Sequence, residues 1–305
     1  MSNNVTNSEL SGRIAYSGIE GSFASIAVGR LFPEAEKRAC HSFREAYEKV
    51  VDGSCDAAVL PIENSYAGEV GQVSDLMFAG DLVVAGVYEL AISQCLLGVP
   101  GATEETIRTV ISHPQALEQC AEYVAQRDMT TIPFENTARA AREVSRRGDP
   151  TVGAIASAET AELYGLSILD RDINESAHNT TRFAVFVRKD REAPVRDQVR
   201  HGSEKTTELE GALRDEKTAE NTILLFTLKH VAGALARAVS IIGLHDFNMR
   251  VIRSRPVKDV NWQYYFYTEL EGSLDTEDGR AMLMVLGSAC ELIKVVGTYR
   301  PDARI

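Results

Sequence analysis

Asn179-Thr180-Thr181-Arg182-Phe183 runs without a break into Ala184-Val185-Phe186-Val187. Polar residues leading straight into an apolar run put a hydroxyl, a guanidinium and an aromatic ring at one end of a buried strand. In isolation such a stretch is an ordinary loop-to-strand junction. Three clusters upstream change its weight: Pro61-Ile62-Glu63-Asn64-Ser65, Ser112-His113-Pro114-Gln115-Ala116-Leu117 and Asn136-Thr137-Ala138. Each follows an apolar run, and open α/β sheets gather their ligands at the carboxyl ends of strands.

Working back from that strand, the chain alternates strand and helix. Residues 13–16 read as a strand, followed by Ser17-Gly18-Ile19-Glu20-Gly21-Ser22-Phe23. The two glycines suit a tight turn whose N–H groups could hold a carboxylate, with Ser22 capping a helix over 24–31. Turn glycines are common, so this motif is weak alone. A helix over 44–52 leads to a buried strand over 56–61, and Glu63-Asn64-Ser65 just beyond it read equally well as turn formers. A helix over 68–76 and a strand over 82–90 complete a first series.

The second series has strands at 93–99 and 109–111 and one helix over 114–127, with Pro114 in its first turn where a missing N–H costs nothing. Ser112 is placed to cap it, and His113 reads as a capping or packing residue ahead of a catalytic one. A strand over 130–133 precedes Asn136-Thr137, which cap a helix over 138–146. A small-residue strand over 152–156 and a helix over 158–164 follow, and residues 167–169 run back toward Asn179.

The chain has 305 residues, 44% hydrophobic and 25% charged, enough for more than one core. A net charge of -12 argues against nucleic acid and anionic membranes as partners. An anionic substrate would therefore need local positive potential from an arginine or from helix N-termini. No run approaches the ~20 apolar residues of a membrane span. The first residues lack the apolar core of a signal peptide, which predicts a cytoplasmic protein with a disordered tail over 1–12. Five scattered cysteines without a Cys-x-x-Cys pair read as reduced thiols. No metal, nucleotide or flavin motif is present, so neither metal nor cofactor is expected.

Residues 190–220 are dense in charge and poor in apolar side chains, the composition of a mobile linker. A compact unit follows: a strand over 222–228, a helix over 232–242, strands over 249–254 and 262–270, a helix over 281–288 and a strand over 293–299. That βαββαβ order predicts a ferredoxin-like sandwich. Its separate apolar pattern predicts that the first 189 residues fold and work without it.

Taken together, Gly-x-Glu-Gly-Ser-Phe (18–23), Pro-Ile-Glu-Asn-Ser (61–65), Ser-His-Pro-Gln-Ala-Leu (112–117), Asn-Thr-Ala (136–138) and Asn-x-Thr-Arg-Phe (179–183) resemble, in order, the motifs of the prephenate dehydratases fused to a C-terminal ACT regulatory domain. The resemblance spans 13–190 and 221–300. It implies an α/β chain with a two-lobed, type II periplasmic-binding-protein-like catalytic domain over 13–189. One lobe would be 13–90 plus 171–189 and the other 91–170, with an α+β ACT domain over 221–305.

The implied reaction is the decarboxylating dehydration of prephenate to phenylpyruvate in phenylalanine biosynthesis, with arogenate dehydratase and a non-catalytic amino-acid sensor as alternatives. By the same resemblance Thr181 donates to the departing hydroxyl, Arg182 meets a carboxylate or orients the loop, and Phe183 walls the ring. Glu20, Ser22, Glu63, Asn64, Ser65, Ser112, His113, Gln115, Asn136, Thr137 and Asn179 surround the substrate. Glu63 beside an anion must either point away or be protonated. The ACT domain implies L-phenylalanine as effector, held between subunits of a homodimer or homotetramer by Gly233, Ala234, Leu235, Asn248, Ser254 and Arg255. Ala232 and Arg253 depart from the family's Pro and Glu at the expected effector site.

Overall fold

The computed structural model describes residues 12–176, 178–192, 195, 220–258, 260–301 and 303–305. The tail and most of the charged linker expected from sequence lie outside them. Three sheets organise the described residues.

The first sheet is built from β1 (Arg13–Ser17), β2 (Glu36–Cys40), β3 (Ala57–Asn64), β5 (Val83–Ala91) and the returning β11 (Thr180–Val187) in the order β2-β1-β3-β11-β5, with the short β4 (Gly68–Glu69) beside β3. β11 runs antiparallel to both β3 and β5, with Thr181 opposite Asn64 and Leu90. A bulge interrupts the β3–β11 ladder between Arg182 and Phe183. One face is covered by α1 (Phe23–Leu31) through Ala24, Ala27 and Val28. The opposite face carries α2 (Phe43–Val51) and α3 (Gly71–Ala79).

The second sheet, β10-β6-β9-β7-β8, comes from one contiguous stretch: β6 (Cys95–Gly98), β7 (Thr109–Ser112), β8 (Thr130–Pro133), β9 (Val152–Ala156) and β10 (Ser167–Asp170). α6 (Thr137–Arg147) packs on it through Ala140, Ala141 and Val144 and ends at Gly148, whose φ of 66° is the left-handed C-terminal stop that glycine supplies. α7 (Ala158–Tyr164) follows β9. The single helix expected over 114–127 is two, α4 (Pro114–Gln119) and α5 (Ala121–Gln126). The Gln119 carbonyl accepts from the Glu175 N–H at 2.9 Å, and the Glu175 carboxylate accepts from the Glu122 N–H at 3.0 Å. An outside segment has taken the ladder's partners, so the helix restarts.

The third sheet, β13-β14-β12-β15, comprises β12 (Asn221–Leu228), β13 (Met249–Pro256), β14 (Tyr264–Glu271) and β15 (Cys290–Tyr299). With α8 (Ala234–Leu244) and α9 (Glu277–Ala289) the order is the βαββαβ read from sequence. Both helices cover one face through Ala238, Ile242, Met282 and Leu286. The other face does not stand apart. Ile223, Leu225, Tyr265, Tyr267 and Val296 share one apolar core with Leu76, Met77, Val84 and Phe186 of the first lobe. The expectation that the first 189 residues fold and work alone has to reckon with this shared core, since removing the C-terminal unit would expose the apolar face it covers.

Candidate functional site

A cleft of about 390 Å³ opens between the first two sheets, within the range of small-molecule sites. Strand alternation on β11 sends Thr181 and Phe183 to it. Beside Thr181, Asn64 ends β3 and is 8% exposed. Its Oδ1 accepts from the backbone N–H of Tyr66 at 3.0 Å and of Ala67 at 2.9 Å, which fixes the amide's orientation. Nδ2 is thereby aimed at Thr181 Oγ1 at 3.0 Å and Asn179 Oδ1 at 2.9 Å. An amide nitrogen only donates, so the Thr181 oxygen is the acceptor in this bond and its own proton is free for another partner.

Three helix starts face the same space. Ser22 caps α1 by accepting from the Ser25 N–H, and Asn136 caps α6 by accepting from the Ala138 N–H at 2.8 Å. His113 caps α4, with Nδ1 accepting from the Gln115 N–H at 3.3 Å. Burial pushes the His113 imidazole below its ordinary pKa, so it is neutral near pH 7. With Nδ1 accepting, the proton of that neutral ring sits on Nε2. From the second lobe, Gln115 Nε2 reaches Asn64 Oδ1 at 3.3 Å. The residues lining the cleft include no lysine or arginine, and their one carboxylate, Glu135, is paired with Arg139. Positive potential here comes from helix ends and neutral donors, which suits an anion that must not be held too rigidly.

The residues 14–191 match the family model described as prephenate dehydratase. The chain belongs to the prephenate dehydratase family. A chloroplastic arogenate dehydratase/prephenate dehydratase 2 of Arabidopsis thaliana is 31% identical over 99% of this chain and 77% of its own length. Among solved structures, a chain described as GqqA, a novel type of quorum quenching acylase, superposes with a TM-score of 0.79 at 27% identity, covering 94% of this chain and 97% of that one. A prephenate dehydratase from Arthrobacter aurescens in complex with L-Phe superposes with a TM-score of 0.80 at 24% identity, covering 94% and 90%. The protein is thus a lyase.

The dehydratase brings Ser22, Asn64, His113, Gln115, Asn136, Thr137, Thr181 and Phe183 to one cleft. Other expected residues stand elsewhere. Arg182 is corrected: alternation turns it to the opposite face of β11. There Nη1 donates to Glu63 Oε2 and Glu269 Oε1, both at 3.0 Å, and Nη2 donates to Glu269 Oε2 at 2.9 Å and Tyr299 at 2.7 Å. Glu63, expected around the substrate, takes the first of its two alternatives: it points away from the cleft and is held by Arg182 and Arg253.

Ser112 is fully buried and donates to the Ile155 carbonyl at 2.6 Å. Ser65 is exposed and ties its loop to the His178 carbonyl and the Thr180 N–H. Asn179 orients Asn64, and Glu20 sits exposed in the turn.

On the C-terminal unit, Gly233 takes a φ of 77° just before α8, a conformation open to glycine. Next to it, Ala234 is buried and Leu235 is 38% exposed. Asn248 donates to Glu271 at 3.0 Å, and Ser254 is exposed on the edge strand β13. Arg255 is corrected as an effector contact: it faces the first lobe, bonded to Asp75 at 3.0 and 3.3 Å.

Sequence reasoning missed Gln94 and Gln119, both buried and lining the cleft. Gln119 was within reach, because it stands four residues after Gln115 and shares its helix face. Gln94 carried no such signal.

Proposed function

We propose that Thr181 is the hydrogen-bond donor to the hydroxyl that leaves C4 of prephenate. The observation that carries this is the direction of the Asn64–Thr181 bond, which leaves the threonine proton unspent and facing the cleft. In the reaction the ring carboxylate departs as carbon dioxide, its bonding pair enters the ring, and the C4–O bond breaks with its pair on oxygen. Aromatisation drives the step. An isolated threonine is a poor acid, so Thr181 acts by hydrogen bonding to charge that develops on the departing oxygen. Phe183 walls the ring, while the helix starts, Gln115 and Thr137 receive the carboxylates and keto group.

Thr181→Ala should lower kcat by about 10²–10⁴-fold with little change in KM, and Thr181→Ser should retain most activity. Phenylpyruvate formed from prephenate, followed by absorbance, and phenylalanine formed from arogenate, followed by chromatography, read turnover of each substrate in both variants. A near-normal kcat in the alanine variant rejects the assignment. An acylase reading has less support, since Ser22 and His113 are each committed to capping a helix.

The two lobes are read as a type II periplasmic-binding-protein arrangement and the C-terminal unit as an ACT domain that binds L-phenylalanine between two copies of the chain. Its strand order, the left-handed Gly233 and a concentration of exposed apolar residues support this, among them Val231 at 58%, Leu244 at 82% and Met284 at 81% exposure. Gly233, Ala234, Leu235, Asn248 and Ser254 remain the proposed effector contacts, in a homodimer or homotetramer. Cysteines that are all free fit a cytoplasmic enzyme.

A further inference from the structure

Arg182 is the exception on its own face of β11. Ala184 and Phe186 follow it at strand spacing and lie in the apolar core shared with the C-terminal sheet. At 182 the same face carries a guanidinium, and β14 supplies a carboxylate to meet it. Glu269 is 1% exposed and accepts from both Nη atoms of Arg182, from Tyr267 at 2.6 Å and from Tyr299 at 2.5 Å. Burial alone would raise the Glu269 pKa, yet the hydrogen bonds and charge of Arg182 outweigh it and the carboxyl is held below its ordinary range. Arg182 in turn reaches Glu63, its cross-strand neighbour on β3.

The location of this cluster matters more than its strength. The β3–β11 ladder is bulged between Arg182 and Phe183. The extra residue is Ile62 of β3, and on its other side β11 pairs with β5 in unbroken register through Thr181, Arg182 and Phe183. The cluster therefore grips the one residue between the two that face the cleft, beside the interruption in the β3 ladder. Asp75 offers a contrast: it also joins the two parts of the chain, through Arg255, Lys258 and Tyr265, but from α3 and away from β11.

We propose that Glu269, contributed by the C-terminal unit, is a positioning residue for the dehydratase reaction, holding Arg182 and through it the aim of Thr181. This rests on the reading of Thr181 as the donor. The unit thus completes the catalytic strand from behind, in addition to any effector it binds.

The test uses the full chain. Glu269→Gln keeps shape and removes the charge, and should lower kcat by about 10- to 100-fold, the scale of a misaimed group, with KM within about threefold. Asp75→Asn should lower the melting temperature comparably while kcat stays within about twofold. Equal loss of kcat in both variants would overturn the proposal in favour of a general loosening, and so would a normal kcat in Glu269→Gln. If Glu269→Gln does not fold by circular dichroism, Tyr299→Phe removes one bond each from Arg182 and Glu269. It should give a smaller fall in kcat at constant KM, and an unchanged kcat there also overturns the proposal. Thr181→Ala measured alongside separates the two readings. If it stays active, the donor assignment falls and takes this proposal with it, whereas collapse of Thr181→Ala with normal Glu269→Gln and Tyr299→Phe sinks the positioning role alone.

Discussion

At the scale of single residues the cleft turns on the direction of one hydrogen bond. Asn64 is forced to offer nitrogen to Thr181 because two backbone N–H groups claim its oxygen. Asn64→Asp is nearly isosteric but replaces that nitrogen with an acceptor. Thr181 would then spend its proton on the new carboxylate. We predict a fall in kcat approaching that of Thr181→Ala, with the melting temperature changed by far less than a core deletion would cause; a kcat near wild type would show that the bond's direction is irrelevant.

Arg182 teaches a lesson about reading. Alternation alone put it on the face opposite Thr181 and Phe183, so its absence from the cleft was legible in the sequence. What it meets instead was not, because Glu269 lies 87 positions later in a different sheet. Nothing in a local pattern announces such a partner. Gln94 was hidden because it stands in the short link between β5 and β6, where no period marks which way a side chain turns.

At the scale of elements, the long apolar strands and capped helices were legible because burial imposes a period on them. β2 was not, since Glu36, Lys37, Arg38 and Ala39 of this edge strand are exposed and leave no alternation to see. The break between α4 and α5 had no glycine or proline to mark it, being imposed by Glu175 from outside.

The contact of β13 and β14 with α3 carries a pH signature. Burial tends to raise the Asp75 pKa, but hydrogen bonds from Arg255, Lys258 and Tyr265 win and lower it. A carboxyl held below its unfolded value, ordinarily ~3.9, contributes stability that is complete above that value and is lost as pH falls through the lower folded one. The melting-temperature gap between wild type and Asp75→Asn should therefore be widest near neutral pH and close as pH drops below about 4. Thermal scans from pH 7 to pH 3 check it, and a gap independent of pH would contradict the assignment.

For the whole molecule, the order of the three sheets was readable but their attachment was not. Separate apolar patterns on either side of a charged stretch suggested a detachable unit. Strand faces report only that something covers them, and here the two parts cover each other. A chain ending at residue 191 should consequently be poorly soluble or markedly less stable than the full protein, and should lose kcat through the missing Glu269. Expression of that fragment, with melting temperature and turnover measured, decides between this and an autonomous catalytic part.

The threading of β11 has a consequence for how the protein comes into being. β5 pairs in its sheet with β11, and β11 separates it from β3, so the first sheet is two unjoined pieces until residues 180–187 arrive. The second sheet draws only on residues 95–170 and has all its strands beforehand. Contacts between distant parts of a chain form late because the loop between them must first be closed. The strand that closes the first sheet is also the one that carries Thr181. A nascent or partly unfolded chain therefore has no donor in place before its first sheet closes: the event that joins the two pieces of that sheet is the event that brings Thr181 to the cleft.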